Sequence, residues 1–446
     1  EAMRLSTRIR SSIMRLLASD FVLQRRRTKG RKKREAQGLD PVIYYFHQVD
    51  DPYSFIMAQQ LTRFAEISSV QIKPFLVSDP ASVFKGDAKR FDDWTIADAA
   101  SIAPFFGQAL PMPSGAESPM RPSDAAREAA EAALSPILDA KISTFTAEAQ
   151  RIGLALWQQD PLPAPSPQQK AHAKTCVAAA DKLRKSLGHF QGGTLYFDGE
   201  WYWGVDRLPL LLARLKEEGH SRASADDFDI YEAGGVDPLT INAAVSADIM
   251  LEYFPSLRSP YTAVGHASVE AMVERSKVEL HLRPVMPMLM RGVTAPRQKQ
   301  QFIMADSVRE ARAKNVAFGN FIDPFGEPVR RGFALFPGAQ AQGKGLAFIG
   351  AYLNAAFAEG IDIDSKRGLQ QVVTNAGLDW QTTVNHPDNT NWKSLLDTNV
   401  NAMLGAGLWG VPSFRVSSPG EPDFCCWGQD RIWRVEHELA RRSAQP

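Results

Sequence analysis

Residues 248–262 read DIMLEYFPSLRSPYT, and this stretch decides the fold. The run IMLEYF is apolar and aromatic, which is the composition of a β-strand, and a short polar turn separates it from Pro260. Proline is favoured in the first turn of a helix, and the residues after it have amphipathic spacing. The stretch therefore predicts a strand, a turn and a helix that begins at Pro260.

The same pattern occurs earlier in the chain. Residues 41–55 read PVIYYFHQVDDPYSF, and aligning Pro52 with Pro260 also places Tyr45 on Tyr253. Two further matches follow in the same order: Lys73-Pro74-Phe75 parallels Arg283-Pro284-Val285, and LGHFQGGTLYFDGEWYWGVDRL parallels GLWGVPSFRVSSPGEPDFCCWGQDRIW. Self-similarity at a nearly constant offset indicates a repeated structural unit, so we predict a tandem duplication.

Each half has the order strand, helix, strand, helical insertion, hairpin and closing helix, which is a thioredoxin-type layout. We therefore predict the α/β class, with two tandem thioredoxin-like domains that each carry a helical insertion. The expected segments are a basic amphipathic N-terminal arm at residues 1–40, a degenerate first domain at 41–217, a linker at 218–244, and a second domain with the active site at 245–446.

The composition is that of a globular protein. Of the 446 residues, 44% are hydrophobic and 23% are charged, which excludes a disordered chain. Three cysteines (Cys176, Cys425 and Cys426) cannot build a disulfide framework, so we expect a reducing, cytoplasmic setting. No stretch approaches the ~20 apolar residues of a membrane span, and no metal site is expected.

The N-terminal arm is strongly basic. Residues 1–34 hold twelve Lys and Arg against two acids, so the rest of the chain sums to −9 and would repel nucleic acid. The apolar residues of the arm recur at helical spacing and predict an amphipathic helix over residues 2–24, ended by the basic run RRRTKGRKKR; they are Met3, Ile9, Ile13, Leu16, Leu17 and Phe21. We favour a helix packed on the acidic body and followed by a solvated tether; a membrane-surface anchor and a nucleic-acid tail are the alternatives.

Four segments of the second half carry a resemblance to a known family: RSPYTAVG (258–265), ELHLRPVMPML (279–289), GLWGVPSF (407–414) and FCCWGQDRIW (424–433). In this order and spacing they resemble the DsbA-related thioredoxin branch that contains 2-hydroxychromene-2-carboxylate isomerases and kappa-class glutathione transferases. The first half resembles the same family more faintly. The resemblance implies a DsbA-type fold in both domains and glutathione as the cofactor of the second.

Ser259 is the candidate catalytic residue. The amino end of a helix that begins at Pro260 has unpaired N–H groups and a positive dipole end, which stabilise a thiolate. Thioredoxin-like oxidoreductases place a cysteine at this point, but no cysteine lies within three residues of Ser259, so disulfide exchange is excluded. The resemblance implies that Ser259 activates the thiol of glutathione; the alternative is that Ser259 is only an N-cap.

The remaining site residues are assigned by the resemblance. Pro412 is implied to be cis, and the backbone of Val411 to pair with the cysteinyl part of glutathione, as a strand edge pairs with a peptide. Asp430 is implied to hold the γ-glutamyl amine of glutathione, and Gln429 its carboxylate. The alternatives are an ordinary proline at the start of a strand and a carboxylate that only caps the closing helix.

Further side chains have weaker claims. Arg258 adds a positive charge beside Ser259, or is simply solvated. The aromatic rings of Tyr261, Trp409 and Trp427 line the pocket or belong to the core. The remaining residues have structural interpretations: Asp306 and Arg309 as an ion pair within one helix, and Cys425 and Cys426 as packing residues of a strand with one side chain inward.

The first domain lacks the features of the second. Asp51 stands in place of the serine, and its negative charge would oppose a thiolate. Gly193 stands where the second domain has Pro412. Asp206 and Arg207 persist, which indicates that this motif is partly structural. We therefore expect a degenerate first domain, and the two domains to form a pseudo-dimer within one chain, unless the chain forms homo-oligomers.

The implied activity is that of a glutathione-dependent isomerase. The expected partners are glutathione and a small unsaturated acid derived from an aromatic compound, which isomerises after reversible addition of the thiolate. A kappa-like glutathione transferase and a non-catalytic thioredoxin-fold scaffold are the alternatives. The sequence names no physiological substrate.

Overall fold

A computed structural model describes residues 3–222, 224, 228–231, 241 and 243–444. The chain divides into two compact units. The C-terminal unit comprises Glu1–Val22, Pro238–Thr294 and Ile303–Pro446, and the N-terminal unit comprises Leu23–Asp237 and Ala295–Phe302. Most of the undescribed residues fall within the predicted linker at 218–244, so that prediction lies largely outside the described residues.

The first half of the chain contains four strands and nine α-helices among the described residues. In chain order they are α1 (Leu5–Ala18), α2 (Asp20–Glu35), β1 (Val42–His47), α3 (Pro52–Ile67), β2 (Gln71–Leu76), α4 (Ser82–Lys85), α5 (Ala88–Ile102), α6 (Asp124–Leu134), α7 (Ile142–Gln158), α8 (Pro167–Leu187), β3 (Thr194–Phe197), β4 (Glu200–Trp203) and α9 (Leu208–Glu217).

The second half repeats the order strand, helix, strand, helical insertion, hairpin and helix. Its described elements are β5 (Met250–Phe254), α10 (Pro260–Ser276), β6 (Glu279–Leu282), α11 (Arg297–Ala313), α12 (Glu327–Ala341), α13 (Gly345–Asn354), α14 (Lys366–Asn375), α15 (Trp380–Val384), α16 (Trp392–Gly405), β7 (Ser413–Ser417), β8 (Phe424–Trp427) and α17 (Ile432–Ser443). The predicted layout is therefore present in both halves.

The two four-stranded sheets have the same topology. Their strand orders are β2-β1-β3-β4 and β6-β5-β7-β8, with one parallel pair and two antiparallel pairs in each. The first strand of each sheet lies between two others and is largely buried, which explains its run of apolar and aromatic residues. Helices on the flanks complete the layered α/β arrangement.

The strand register corrects one sequence match. Tyr45 lies opposite Pro74 in the first sheet, and Tyr253 lies opposite Leu282 in the second. Pro74 therefore corresponds to Leu282 and not to Pro284, so the match of Lys73-Pro74-Phe75 with Arg283-Pro284-Val285 was wrong by two residues. A proline in both segments drew the alignment to the wrong register.

The arm differs from its prediction in two ways. The first helix ends at Ala18, and the basic run does not end a helix but forms most of α2. That run is also no solvated tether. Gly30 packs so closely on the turn between β3 and β4 that a Cβ would lie 2.4 Å from the carbonyl carbon of Asp198, and Arg34 forms an ion pair of 3.0 Å with that aspartate.

The apolar side chains of the arm are divided between the core and solvent. Met3 and Met14 pack against the core of the C-terminal unit, as predicted for a helix on the body. Leu5, Ile9 and Ile13, however, are more than half exposed to solvent. Among the described residues, no helix is long and apolar enough to cross a membrane.

Candidate active site

Ser259 caps the amino end of α10. Its backbone is extended, with φ −92° and ψ 118°, and its Oγ accepts a hydrogen bond of 3.1 Å from the N–H of Thr262. The prediction that a helix begins at Pro260 is confirmed. Because this hydrogen bond uses only a lone pair of the hydroxyl oxygen, the hydroxyl proton can still be donated to an anion at the positive end of the helix.

The peptide bond between Val411 and Pro412 is cis, as the resemblance implied. Pro412 accepts a backbone hydrogen bond of 2.9 Å from Gly428, which fixes this turn on the start of the closing segment. Within the described part of the chain, the N–H and C=O of Val411 hydrogen-bond to no other protein group. Val411 therefore offers one donor and one acceptor to a ligand.

The sheet brings the turn at Pro412 and the start of α10 to the same end of its two central strands, β5 and β7. Ser413, the first residue of β7, pairs with Phe254, the last residue of β5. Since α10 begins six residues after Phe254 and Pro412 directly precedes Ser413, Ser259 and Pro412 both adjoin this end of the two strands. The topology thus places the two predicted features at the same edge of the sheet.

Gln429 has protein partners of its own. Its side chain is buried, its Nε2 donates to Glu310 at 2.9 Å, and its Oε1 accepts from Lys314. A Cβ at Gly265 would lie 2.8 Å from the Cβ of Gln429, so the glutamine packs directly on α10. This geometry gives Gln429 a structural role, and the predicted contact with a glutathione carboxylate gains no support from it.

Asp430 lies in the 3₁₀ turn Gln429–Arg431 that precedes α17. Its carboxylate folds back over Gly428, where a Cβ would lie 2.4 Å from Oδ1. The side chain is 27% exposed, and its Oδ1 lies 3.9 Å from the guanidinium of Arg431. Gly428 has φ +113°, a conformation that L-residues rarely adopt, so glycine is required at this turn.

Arg258 is not simply solvated. Its Nε donates to Asp323 at 2.8 Å, and its guanidinium lies 5.0 Å from the centre of the Phe325 ring. Asp323 is fully buried and also forms an ion pair of 2.7 Å with Arg10 of α1. Asp323 could not be predicted from the sequence, because it lies in a segment without helical or strand periodicity and its partners are distant in sequence.

The aromatic candidates are largely engaged in the interior. The hydroxyl of Tyr261 donates to Asp306 at 2.8 Å, and Asp306 also forms the predicted ion pair with Arg309 at 2.8 Å. Trp409 is 1% exposed and packs against Trp427, with the ring centres 4.8 Å apart. Of the two interpretations of Trp409, burial favours a core residue.

Neither the nearby thiols nor the nearby imidazole is poised for catalysis. Cys426 is buried, as predicted for the inward residue of the pair, and burial raises the pKa of Cys425 to about 11. Burial also lowers the pKa of His266 to about 4. Its two ring nitrogens lie 3.0 Å from the hydroxyl of Tyr253 and 3.0 Å from the carbonyl oxygen of Leu346, so the imidazole is a neutral structural group.

The corresponding place in the N-terminal unit is built differently. Asp51 caps α3 by accepting from the N–H of Ser54 at 2.8 Å and from its hydroxyl at 2.7 Å. Gly193, in the position of Pro412, lies so close that a Cβ would be 3.1 Å from the Asp51 carboxylate. Burial raises the pKa of Asp51 to about 6. An aspartate of the chain itself therefore occupies the positive end of this helix.

One family model matches part of the C-terminal unit. Residues 250–440 match the family model of the DSBA-like thioredoxin domain, and the sheets confirm the predicted DsbA-like α/β fold.

Solved structures give weaker likenesses. A 2-hydroxychromene-2-carboxylate isomerase is 20% identical, with 43% of this chain and 95% of that chain covered and a TM-score of 0.34. The cytosolic disulfide reductase DsbM from Pseudomonas aeruginosa, solved with GSH, is 17% identical, with 43% and 99% covered and a TM-score of 0.33. The comparison with curated proteins gave no match.

Proposed function

We propose that the chain is a glutathione-dependent isomerase of the 2-hydroxychromene-2-carboxylate isomerase type, with its active site in the C-terminal unit. The observation that carries the proposal is the hydroxyl cap of Ser259, at the end of the two central strands where the backbone groups of Val411 have no hydrogen-bond partner among the described residues. Ser259 supplies a neutral hydrogen-bond donor for a thiolate. Val411 supplies a backbone donor and acceptor that can pair with a peptide-like ligand.

Glutathione fits most of the residues that the resemblance assigned. Val411 offers a backbone donor and acceptor for the cysteinyl part, and the partly exposed carboxylate of Asp430 suits an amine. When bound, glutathione supplies a thiolate that adds reversibly to a carbon–carbon double bond, so that the bond can rotate before elimination restores it. Gln429 does not fit, because Glu310 and Lys314 already hold its side chain.

Ser259 has two tasks in this proposal. Its oxygen caps the first turn of α10 by accepting a hydrogen bond from the N–H of Thr262. Its hydroxyl proton is donated to a thiolate and stabilises it. The helix end adds the partial positive charge of its remaining N–H groups. Together such features lower thiol pKa values from ~8.5 to ~7 or below, which makes the thiolate abundant at neutral pH.

The proposal is tested by binding and turnover on the full chain. We expect calorimetry to find one glutathione per chain, and the Ser259→Ala variant to lose at least tenfold in turnover of 2-hydroxychromene-2-carboxylate while it stays folded. Asp51→Ala is the matched control, since it also removes an N-cap, at a cost of about 1 kcal/mol in stability, but leaves this site intact.

Three outcomes would contradict the proposal. Absence of glutathione binding would favour a non-catalytic scaffold. Turnover of a halo-aromatic acceptor without isomerisation would favour a glutathione transferase. Unchanged turnover in Ser259→Ala would remove the role assigned to its hydroxyl.

A further inference from the structure

Helix α1 is held to the C-terminal unit by its polar face. Arg10 forms the ion pair with buried Asp323, and the backbone N–H of Asp323 donates to the hydroxyl of Ser11 at 2.9 Å. Arg15 donates to the carbonyl oxygen of Phe321 at 2.8 Å. These contacts come from adjacent residues 10 and 11 and from residue 15 in the next turn, and together they fix the rotation of the helix about its axis.

This rotation leaves an apolar stripe in solvent. Leu5, Ile9, Ile13 and Leu16 are 70%, 53%, 52% and 56% exposed. At 100° per residue these four positions fall within about 80° of one another, so they form one continuous face of the helix. An amphipathic helix normally turns such a face toward the core, and here the polar contacts prevent it.

The stripe is unusual within the chain itself. Eleven large hydrophobic side chains are strongly exposed among the described residues, and the four residues of the stripe and Phe21, at 67%, account for five of them. The other six are scattered through the sequence: Leu39, Val83, Met112, Met120, Leu154 and Phe325. Single exposed apolar residues are ordinary on a protein surface, whereas a continuous stripe indicates an interaction site.

Positive charge accompanies the stripe. Arg4, at the amino end of α1, and Arg8 and Arg15 within the helix are exposed, and α1 contains no acidic residue. A partner that covers the stripe must therefore combine an apolar layer with negative charge.

We propose that α1 binds to the surface of an anionic lipid bilayer, with the apolar stripe inserted among the acyl chains. The headgroup region supplies the negative charge and the acyl boundary supplies the apolar layer. A second copy of the chain fits less well, because two paired stripes would bring the same cations together. Nucleic acid would match the charge but would leave the stripe uncovered.

The test measures vesicle binding of the full chain. We expect the protein to co-sediment with vesicles of phosphatidylcholine that contain about one-third phosphatidylglycerol, and to bind pure phosphatidylcholine much more weakly. The double variant Ile9→Gln/Ile13→Gln should bind the anionic vesicles at least tenfold more weakly. Met112→Gln/Met120→Gln, which changes two exposed residues of a loop, is the matched control and should bind like the wild type.

Other results would overturn the proposal. If the wild type binds no anionic vesicles, the bilayer is not the partner. If the Ile9→Gln/Ile13→Gln variant binds as tightly as the wild type, charge alone drives binding and the stripe plays no part. If light scattering finds a wild-type dimer that the Ile9→Gln/Ile13→Gln variant does not form, and the wild type binds no vesicles, the stripe is the contact surface for a second copy of the chain. Thermal melts followed by circular dichroism show whether each variant folds like the wild type. Leu5→Gln/Leu16→Gln is a second variant of the stripe and should also lose vesicle binding.

Discussion

The amino ends of α3 and α10 occupy the same place in two sheets of the same topology, yet they have opposite electrostatics. The cap is Asp51 in one and Ser259 in the other, and the residue before the cap is Asp50 in one and Arg258 in the other. A helix end carries about half a positive charge, which an internal carboxylate neutralises and a hydroxyl leaves available. Of these two helix ends, the amino end of α10 is therefore the one whose electrostatics favour an external anion.

The features that the amino ends of α3 and α10 share belong to the fold and not to a reaction. Each helix has proline at its first position and then a tyrosine whose hydroxyl donates to an aspartate, at 2.6 Å for Tyr53 with Asp98 and at 2.8 Å for Tyr261 with Asp306. Because this arrangement accompanies both kinds of cap, it belongs to the fold. The contrasting residues should therefore control chemistry, and the shared residues should control stability.

We expect the largest effect when α10 receives the N-cap residue of α3. Ser259→Asp keeps the N-cap but places a negative charge where the thiolate is proposed to lie, and two like charges ~4 Å apart near a protein surface repel by roughly 4 kcal/mol. We expect turnover to fall at least a hundredfold.

Ser259→Asn, a neutral cap, is the control for this substitution. It should keep the melting temperature and bind glutathione more tightly than Ser259→Asp does. Equal activity of the aspartate variant and the wild type would show that the helix end does not hold a thiolate.

A second comparison concerns Asp430 and its counterpart Asp206. Both follow a glycine with positive φ by two residues, so the turn is structural in both units. Only Asp430 lies beside the proposed ligand, where a charge-assisted hydrogen bond to an amine is worth about 1.5–3 kcal/mol.

We expect Asp430→Asn to weaken glutathione binding at least tenfold in calorimetry, and Asp206→Asn to leave it unchanged. If both variants lose stability equally and neither alters binding, the motif is structural in both places.

Most of the fold could be predicted because its signals are local or repeated. The strand, the turn and Pro260 specify the start of α10, and the offset of 208 residues between Tyr45 and Tyr253 persists in the strand register. The orientation of α1 could not be predicted, because its apolar periodicity favours inward packing. The contacts that reverse it join Arg10 to Asp323, over three hundred residues away.

The candidate site was predictable to a similar extent. Ser259 and Pro412 lie where the resemblance implied. The partners of Gln429 and Arg258 could not be foreseen, since Glu310 and Asp323 belong to segments whose sequence gives no sign of which residues they meet. Spacing along a helix reveals neighbours on that helix, but contacts between distant segments depend on the tertiary fold.

A smaller effect is expected from neutralising the cap of α3. The pKa of Asp51 is raised by burial from 3.8 to about 6, so the folded state binds this proton more tightly than the unfolded state does. The stability linked to it is complete below pH 3.8 and is lost as the pH rises through 6. Asp51→Asn keeps the cap without the charge, so we expect a gain of about 1–2 kcal/mol at neutral pH.

The pH dependence separates this effect from general stabilisation. The gain should shrink as the pH falls from about 6 to about 4, where the unfolded carboxylate also takes up its proton. Urea unfolding at several pH values measures it. A gain that is independent of pH would contradict the raised pKa, and any change in glutathione turnover would contradict the view that this helix end has no catalytic role.

The smallest difference should come from the shared tyrosines. Tyr261→Phe and Tyr53→Phe each remove one hydrogen bond to a buried aspartate, and Asp306 keeps its ion pair with Arg309. We expect each variant to lose about 1 kcal/mol of stability in chemical denaturation, since a hydrogen bond contributes about that much net. Turnover should change less than twofold in both. A selective loss of turnover in Tyr261→Phe would move that hydroxyl from the shared scaffold into the active site, and the contrast between the two helix ends would then extend beyond their caps.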